Sequence, residues 1–232
     1  MYRYPDIDDM NFSTRIYTPD WDDGGLEYVY LEDCIHHIPE RSREVLLDAG
    51  CGYGKQLPKL APYFKKIVAI DPDKNRLEKA KLLAQEQLSQ AACRFEFLTT
   101  AIQDFNPTYK FDCVFCSQIL QHVHTLDAVN MLNKFHDILE SRGHLILLTT
   151  NCLEREDVFL KVDCTTNEHI PLNEESYNEC TLVNNHYLPT HLFTEKTLRE
   201  MLIQANFDLI FIKKFNGYPK IKGDNFIFAR AL

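Results

Sequence analysis

Short apolar runs alternate with amphipathic segments along the chain from residue 45 onward. Runs of strand length predict β-strands, and the segments between them carry apolar residues at helical spacing. Because strand–helix–strand units repeat, the pattern predicts a parallel sheet with helices on both faces. The predicted strands cover 45–48, 66–71, 94–99, 111–117 and 144–150, and the predicted helices cover 55–63, 74–90 and 126–140.

Capping residues indicate where several helices begin and end. Asp73 is predicted to be the N-cap of one helix, and Thr194 the N-cap of another near the C-terminus. Gly143 and Asn206 tolerate the left-handed conformation, so each is predicted to end the helix before it. A further helix over 26–38 is predicted to precede the first strand and to stop at the proline that follows.

The last part of the chain returns to strands. Residues 207–215 and 225–230 have the composition and alternation of strands, and an Asn-Gly pair at 216–217 starts a turn between them. This order predicts an antiparallel hairpin at the C-terminal end of a mostly parallel sheet.

Residues 1–25 and 151–190 lack the regular pattern. The first segment is polar and turn-rich but contains several aromatic residues, including Trp21, so we expect part of it to pack, either as a lid over a ligand site or elsewhere on the surface. The second mixes polar and aromatic residues without a sustained period, which is typical of an irregular cover. We therefore treat 1–232 as one domain, with an N-terminal aromatic and helical cover at 1–43 and a substrate-covering insertion at 151–190.

Charge and composition disfavour several classes of partner. With 34 acidic against 25 basic residues, the chain has a formal net charge of −9, which repels nucleic acids and anionic membranes. No apolar run approaches the roughly 18 residues that a membrane span requires, and the N-terminus has no signal-peptide pattern. We expect a cytoplasmic protein that binds no nucleic acid and no membrane, and the sequence leaves its oligomeric state open.

The eight cysteines are scattered along the chain, as expected for reduced thiols. Cys113 and Cys116 have the spacing of a C-x-x-C motif, but in an extended strand residues three apart face opposite sides. We therefore predict no metal site.

The first predicted strand leads into a glycine-rich loop, Asp48-Ala49-Gly50-Cys51-Gly52-Tyr53-Gly54. Glycine adopts torsions that other residues avoid, and it lets the main chain approach a ligand closely. The third glycine comes one residue too early for the G-x-G-x-x-G pattern of dinucleotide sites. The loop therefore indicates another ligand, with a Gly-rich turn that binds nothing as the alternative.

In an open α/β sheet, ligands bind beyond the carboxyl ends of the strands. The second predicted strand ends at Asp71, whose carboxylate can accept both hydroxyl hydrogens of a ribose. The third ends at 99–104, whose main chain can contact an adenine edge. The fourth ends at 117–122, which carries polar side chains.

These segments resemble successive motifs of the class I S-adenosylmethionine-dependent methyltransferases. The motifs are D-A-G-C-G-Y-G at 48–54, V-A-I-D at 68–71, A-I-Q-D-F at 101–105, F-D-C-V-F-C-S-Q-I-L-Q-H-V at 111–123 and L-N-K-F-H-D-I-L-E-S-R-G-H-L-I-L at 132–147. The resemblance implies an α/β three-layer sandwich with a seven-stranded, mostly parallel sheet and an antiparallel C-terminal hairpin. It also implies S-adenosylmethionine as methyl donor and S-adenosylhomocysteine as product.

The resemblance further implies roles for single residues. The three glycines would lie against the methionine portion and the ribose, Asp48 would hold the ammonium group and Asp71 the ribose hydroxyls. Ala101 and Ile102 would flank the adenine, and Thr100 stands where many members have an acid. The full predicted cofactor-binding set is Asp48, Gly50, Cys51, Gly52, Gly54, Asp71, Pro72, Thr100, Ala101, Ile102 and Ser117.

Methyl transfer requires mainly that a nucleophile be positioned in line, with a base if it is protonated. His122 is the predicted base or orienting residue because it follows the fourth strand, with a helix cap or packing role as the alternative. His124 and His186 are weaker candidates for the same role. The predicted substrate-binding residues are Gln121, Tyr187, His191 and Trp21.

Three functions are compatible with the sequence. The first is a methyltransferase acting on a nitrogen or oxygen nucleophile of a small molecule. The second is methylation of a peptide or protein N-terminus, because 103–107 and 226–230 are similar to segments of protein N-terminal methyltransferases and an acidic groove would attract a cationic peptide. The third is a non-catalytic cofactor-binding or scaffold protein with the same fold.

Overall fold

A seven-stranded sheet organises the fold in a computed structural model that describes residues 26–152, 154–163, 165–166, 168–182, 187–215 and 224–232. The strands are β1 (Val45–Ala49), β2 (Lys66–Asp71), β3 (Arg94–Thr99), β4 (Phe111–Ser117), β5 (Leu139–Thr150), β6 (Val158–Asp163), β7 (His169–Leu172), β8 (Tyr187–Leu192), β9 (Phe207–Phe215) and β10 (Asp224–Ala231). The helices are α1 (Leu26–His37), α2 (Leu57–Leu60), α3 (Lys74–Gln87), α4 (Thr125–Ile138), α5 (Glu174–Leu182) and α6 (Glu195–Gln204). The predicted lid at 1–25, with Trp21, and His186 lie outside the described residues.

The strand order of the main sheet is β3-β2-β1-β4-β5-β10-β9. The pairs from β3 to β5 are parallel, whereas β10 is antiparallel to both of its neighbours. This confirms the predicted sheet with its antiparallel C-terminal hairpin. The chain adds strands first to one side of β1 and then to the other, so the order reverses there, and ligands bind at such a switch point.

Alternate residues of the strands enter two core clusters, one on each face of the sheet. Leu47 and Cys116 belong to the cluster that α4 and α6 cover. Leu46 and Cys113 belong to the cluster covered by α1, α2 and α3. The three-layer arrangement is therefore confirmed, and Cys113 and Cys116 face opposite sides as predicted.

Helix α1 packs on β9 and β10, on the same face of the sheet as α2 and α3, and the ring of Tyr30 meets that of Phe226 edge to face. Lys213 of β9 also forms an ion pair with Asp33 of α1 at 2.7 Å. The helical part of the predicted 1–43 cover thus belongs to one of the helical layers. Throughout the described ranges, no helix has the length and apolarity needed to cross a membrane.

Three predicted caps are confirmed. Asp73 Oδ1 accepts a hydrogen bond from the backbone N–H of Asn75 at 2.8 Å, and Thr194 Oγ1 accepts one from Thr197 N at 3.2 Å. Asn206 has a φ of 59°, in the left-handed region. Each of these residues satisfies or redirects backbone groups that a helix end leaves open.

The predicted stop at Gly143 is wrong. Helix α4 ends at Ile138, β5 starts at the next residue, and the left-handed residue is Arg142, with a φ of 66°. Leu139 pairs with Phe111, and a bulge then shifts the register before Cys113. Pairing with β4 therefore extends the strand backwards, and the bulge takes up the extra residues that had suggested a helix end.

The prediction that 151–190 is irregular is also wrong. Strands β6, β7 and β8 form an antiparallel sheet in the order β7-β6-β8, and α5 packs on it; we call these four elements the inserted unit. Its small core contains Cys152, Leu160, Val162, Leu188 and Leu192. The unit leaves and rejoins the main fold at one place, since Cys152 N donates to Phe193 O at 2.8 Å.

Candidate functional site

The glycine loop turns sharply after β1. Gly50, Gly52 and Gly54 have φ angles of 79°, 53° and 77°, which lie in the left-handed region that favours glycine. The N–H groups of Gly50 and Cys51 both donate to the carbonyl of Ile70, at 2.9 and 3.0 Å. These bonds fasten the start of the loop to the end of β2.

The three glycines differ in their surroundings. A Cβ on Gly50 would lie 2.8 Å from the Ile119 side chain, and one on Gly54 would lie 2.9 Å from the Cβ of Ala80. A Cβ on Gly52 would meet no atom within 4 Å. Packing therefore requires glycine at 54, where the neighbour is the short, rigid Ala80, whereas at Gly50 the flexible end of Ile119 can shift. The loop at Gly52 borders open space that a ligand can enter.

Replacing Gly54 by alanine is expected to lower the free energy of unfolding by roughly 1–2 kcal/mol more than replacing Gly52, because only the first change also forces a contact in the core. Urea denaturation of the two variants measures the difference. Gly52→Ala is the matched control, since it carries the same left-handed strain without the clash. Equal losses in the two variants would contradict this account of the loop.

Asp71 connects the glycine loop to the turn that follows β2. Its Oδ2 accepts a hydrogen bond from Gly52 N at 2.9 Å, and its Oδ1 accepts one from Asp73 N at 2.8 Å. Burial raises the pKa of this carboxyl, and the two N–H donors oppose that shift. The carboxylate is thus held in a fixed orientation at the end of β2, next to the glycine loop.

Asp48 is buried at the end of β1, and its Oδ2 has no hydrogen-bond partner among the residues that the structure describes. Burial, together with the nearby charge of Asp71, raises its pKa to about 7. A buried carboxyl without a partner is costly, so its presence indicates a ligand that supplies a donor or a positive charge.

The predicted adenine-binding segment follows β3. Thr100 N donates to Asp71 O at 3.1 Å, which brings this segment to the end of β2. The Thr100 hydroxyl lies 3.3 Å from the carbonyl of Ala101 and donates to it. Ile102 packs into the core rather than standing at the surface, and Pro72 is exposed.

A chain of polar side chains follows β4. Gln118, directly after Ser117, has a φ of 58°, which is uncommon for a residue other than glycine. The side-chain amide of Gln121 donates to Gln118 Oε1, and Thr149 Oγ1 donates to Gln121 Oε1 at 3.1 Å. Gln121, a predicted substrate residue, therefore links the end of β4 to the end of β5.

His122 joins the main fold to the inserted unit. Its Nδ1–H donates to the carbonyl of Pro189 in β8, at 2.6 Å. Burial lowers the pKa of His122 to about 4, although the Pro189 carbonyl opposes this, so the imidazole is neutral at pH 7. Tyr177 of α5 fastens the same segment, because its hydroxyl lies 2.8 Å from Gln121 O and 2.7 Å from Val123 O.

His191, another predicted substrate residue, is paired with a carboxylate. Its Nε2 lies 2.7 Å from Asp157 Oδ2, and its ring lies against those of Phe159 and Phe193. Burial raises the pKa of Asp157, but hydrogen bonds from His191 and from Thr194 N and Thr197 outweigh it and lower the pKa. Tyr187 lies farther along β8, with Lys161 Nζ 4.2 Å from its ring centroid.

The structure adds residues that the sequence did not indicate: Asn151, Asp157, Tyr177 and Asn225. Asn151 follows β5 directly, and Asp71 likewise stands at the end of β2. Its position at the end of a strand could therefore have marked Asn151 as a candidate site residue. For the other three no local pattern was available, since each contacts residues far away in the chain.

An open depression of about 750 Å³ lies at the start of α5, and no residue of the glycine loop lines it. It is lined by His124, Asn173, Glu174, Glu175, Asn178 and Glu179. Its carboxylates would attract a cation or a basic peptide.

The sequence comparisons agree on one family. A family model described as a methyltransferase domain matches residues 25–211. Alpha N-terminal protein methyltransferase 1 of Dictyostelium discoideum is 27% identical over 140 residues, which cover 58% of this chain and 50% of the relative. A ubiquinone biosynthesis O-methyltransferase of Rickettsia typhi is 28% identical over 134 residues, or 58% of this chain and 52% of the relative. The chain thus spans about half the length of the curated relatives it matches.

Solved structures share the fold. The Burkholderia thailandensis 1,6-didemethyltoxoflavin-N1-methyltransferase, crystallised with 1,6-didemethyltoxoflavin and S-adenosylhomocysteine, gives a TM-score of 0.65 at 18% identity over 94% of this chain and 84% of that one. Magnesium protoporphyrin IX methyltransferase from Synechocystis PCC 6803, with bound S-adenosylmethionine, gives 0.62 at 17% identity over 94% and 89%. At these identities the likeness shows the fold alone.

Proposed function

Because the chain belongs to the methyltransferase domain family, we propose that it transfers a methyl group from S-adenosylmethionine to a nitrogen or oxygen nucleophile of a small molecule. The observation that carries this proposal is the unpartnered, buried carboxyl of Asp48 beside the glycine loop. A phosphate would repel that carboxylate, whereas the ammonium group of the methionine portion would both donate a hydrogen bond to it and neutralise its charge.

The residues present fit this cofactor. Asp48 would hold the ammonium group, and Asp71 would hold the ribose hydroxyls with the oxygen lone pairs that its two N–H donors leave over. The open surface at Gly52 admits the methionine portion. Thr100 and Ala101 would contact the adenine. When bound, S-adenosylmethionine supplies a sulfonium-activated methyl group, so the protein has mainly to position the nucleophile.

The neutral imidazole of His122 suits positioning better than proton removal. An imidazole with a pKa of about 4 is a weak general base at pH 7, so it contributes little to removing a proton from the acceptor. Its bond to Pro189 instead fixes the inserted unit against the end of β4. We assign His122 as a positioning residue, and the inserted unit as the wall that excludes water from the acceptor.

The acidic depression at α5 favours a second candidate function, methylation of a peptide N-terminus. Its glutamates would attract a cationic peptide, and a relative with 27% identity is named as an alpha N-terminal protein methyltransferase. No residue of the glycine loop lines the depression, however, so a peptide bound there would have to extend from it to the methyl donor. For this reason the small molecule is the leading proposal.

The test has two steps. Isothermal titration with S-adenosylhomocysteine is expected to give micromolar affinity, and absence of binding would overturn both enzyme functions. Methyl-tritiated S-adenosylmethionine is then incubated with the protein and either a small-molecule extract or a pool of synthetic peptides with free N-termini. Label is expected in the small-molecule fraction.

Two results would change the conclusion. Label in free peptides but not in N-acetylated peptides would establish the peptide function instead. Binding of S-adenosylhomocysteine without label in any fraction would favour a non-catalytic cofactor-binding protein. Protein that carries Asp71→Ala is the background control for each fraction.

A further inference from the structure

Two asparagines at the carboxyl edge of the sheet have amide atoms without a hydrogen-bond partner in the described part of the chain. Asn151, after β5, and Asn225, in β10, are both 0% exposed. Within the described ranges, neither Nδ2 nor Oδ1 of Asn151 has a hydrogen-bond partner, and Oδ1 of Asn225 has none. Buried polar groups are nearly always hydrogen-bonded, so these three atoms indicate a partner beyond the described residues.

Strand register places both side chains on one face. Asn225 pairs with Thr149, so their side chains lie side by side, and Asn151 is two residues beyond Thr149. The bridge from Asn151 to Phe193, which packs in the cluster on that face, agrees with this orientation. The two asparagines therefore form a polar layer with Thr149 and with Gln121, which Thr149 contacts.

This layer lies beside the predicted cofactor site. Strand β5 is separated from β1 by β4 alone, and strand spacing puts the two about 10 Å apart. A molecule bound on the layer would thus lie next to a ligand of the glycine loop. The inserted unit borders the layer, because the Tyr177 hydroxyl of α5 donates to the main-chain carbonyl of Gln121 at 2.8 Å.

The chemistry of the unpaired atoms specifies the ligand. An amide with both atoms available offers a donor and an acceptor side by side, and asparagine uses this pair to bind the adjacent nitrogen groups of adenine. The complementary ligand is a planar group with an N–H next to a carbonyl or a ring nitrogen. Asn225 Oδ1 adds an acceptor for a second N–H, while its Nδ2 already donates to Thr150 O at 2.9 Å.

We propose that Asn151 and Asn225 bind the methyl acceptor, and that the acceptor is a lactam or nitrogen heterocycle with an N–H beside a carbonyl or ring nitrogen. This inference rests on the proposed methyl transfer and names the substrate class for it. Since both side chains are fully buried, the residues that cover them have to move before the acceptor can reach the amides.

The test uses two matched probes, 2-pyridone and N-methyl-2-pyridone, titrated by NMR into protein saturated with S-adenosylhomocysteine. The second probe lacks the N–H but keeps the ring and the carbonyl. Wild-type protein is expected to bind 2-pyridone at least tenfold more tightly than the methylated probe. Asn151→Leu is expected to remove this preference and to leave the affinity for S-adenosylhomocysteine unchanged.

Asn130→Leu, on the exposed side of α4, is the control variant and is expected to behave as wild type. The melting temperature of Asn151→Leu distinguishes ligand binding from a structural role, because deleting an unsatisfied amide raises it whereas deleting a structural hydrogen bond lowers it. A lowered melting temperature, or equal affinities of wild type and Asn151→Leu for 2-pyridone, would overturn the inference. If wild type fails to bind S-adenosylhomocysteine, the proposed function itself fails.

Discussion

Replacing Asp71 by alanine is expected to weaken the binding of S-adenosylhomocysteine by about 1.5–3 kcal/mol, which is at least tenfold in Kd. The carboxylate is buried, and each of its oxygens already accepts one backbone N–H. Its remaining lone pairs are the acceptors available for two ribose hydroxyls at this end of β2. The variant also leaves Gly52 N without its acceptor, which loosens the loop that is proposed to contact the methionine portion.

Isothermal titration of the wild type and the variant measures this change. Asp127→Ala, at an exposed position in the first turn of α4, removes one negative charge away from the site and serves as the control for net charge. An unchanged Kd for Asp71→Ala would refute the ribose assignment. A thermal melt of the same samples verifies that the variant is folded.

The second large effect is a dependence on pH that originates at Asp48. In the free protein its pKa is raised to about 7, whereas the ammonium group of the ligand requires the ionised carboxylate. Below pH 7 the ligand must displace a proton, and the affinity then falls about tenfold for each pH unit. We expect S-adenosylhomocysteine to bind about 100-fold more weakly at pH 5 than at pH 8.

Asp48→Asn separates this contribution from that of Asp71. The amide cannot ionise, so the variant is expected to bind weakly at pH 8 and to show a flatter pH profile. If the variant keeps the full pH dependence of the wild type, Asp48 is not the responsible group. Titrations at pH 5, 6, 7 and 8 in buffers of equal ionic strength provide the comparison.

The same substitution has a second consequence, for the stability of the free protein. A carboxyl whose pKa rises from its ordinary value near 4 to about 7 on folding lowers stability progressively as the pH rises through that interval. Above pH 7 the cost reaches about 4 kcal/mol. Asp48→Asn is therefore expected to increase the free energy of unfolding in urea at pH 8 and to have a much smaller effect at pH 4. The protein would keep this destabilising carboxyl because the carboxylate is needed to bind the ligand.

The sequence was most informative where a local interaction determines the structure. Asp73 and Thr194 cap helices through bonds to residues two or three positions away, so their roles can be read from the chain alone. The glycine loop and Asp71 could be located for a similar reason, because the loop follows β1 directly and Asp71 is the last residue of β2. Five runs of strand length in sequence, separated by amphipathic segments, were sufficient to predict the parallel sheet.

The parts of the fold and of the site that were not predicted depend on pairing between residues far apart in the chain. Strand β8 contains Pro189, which argues against a strand, and it forms only because β6 pairs with it. The bulge opposite Phe111 likewise has no signal within β5 itself. Asp157 could not be identified as a site residue from the sequence, because its partner His191 is 34 positions away in the chain. Residues whose partners are distant in the chain were therefore the ones that sequence reasoning missed.

The shared attachment point of the inserted unit makes it exchangeable. Its chain enters after Asn151 and returns at Phe193, and these two residues are neighbours through a parallel bridge. A segment with adjacent ends can be shortened, replaced or transplanted without moving the strands that carry the cofactor residues. Related chains can thus differ in this segment while the main sheet stays the same, and an engineer can graft a different one between the same two positions.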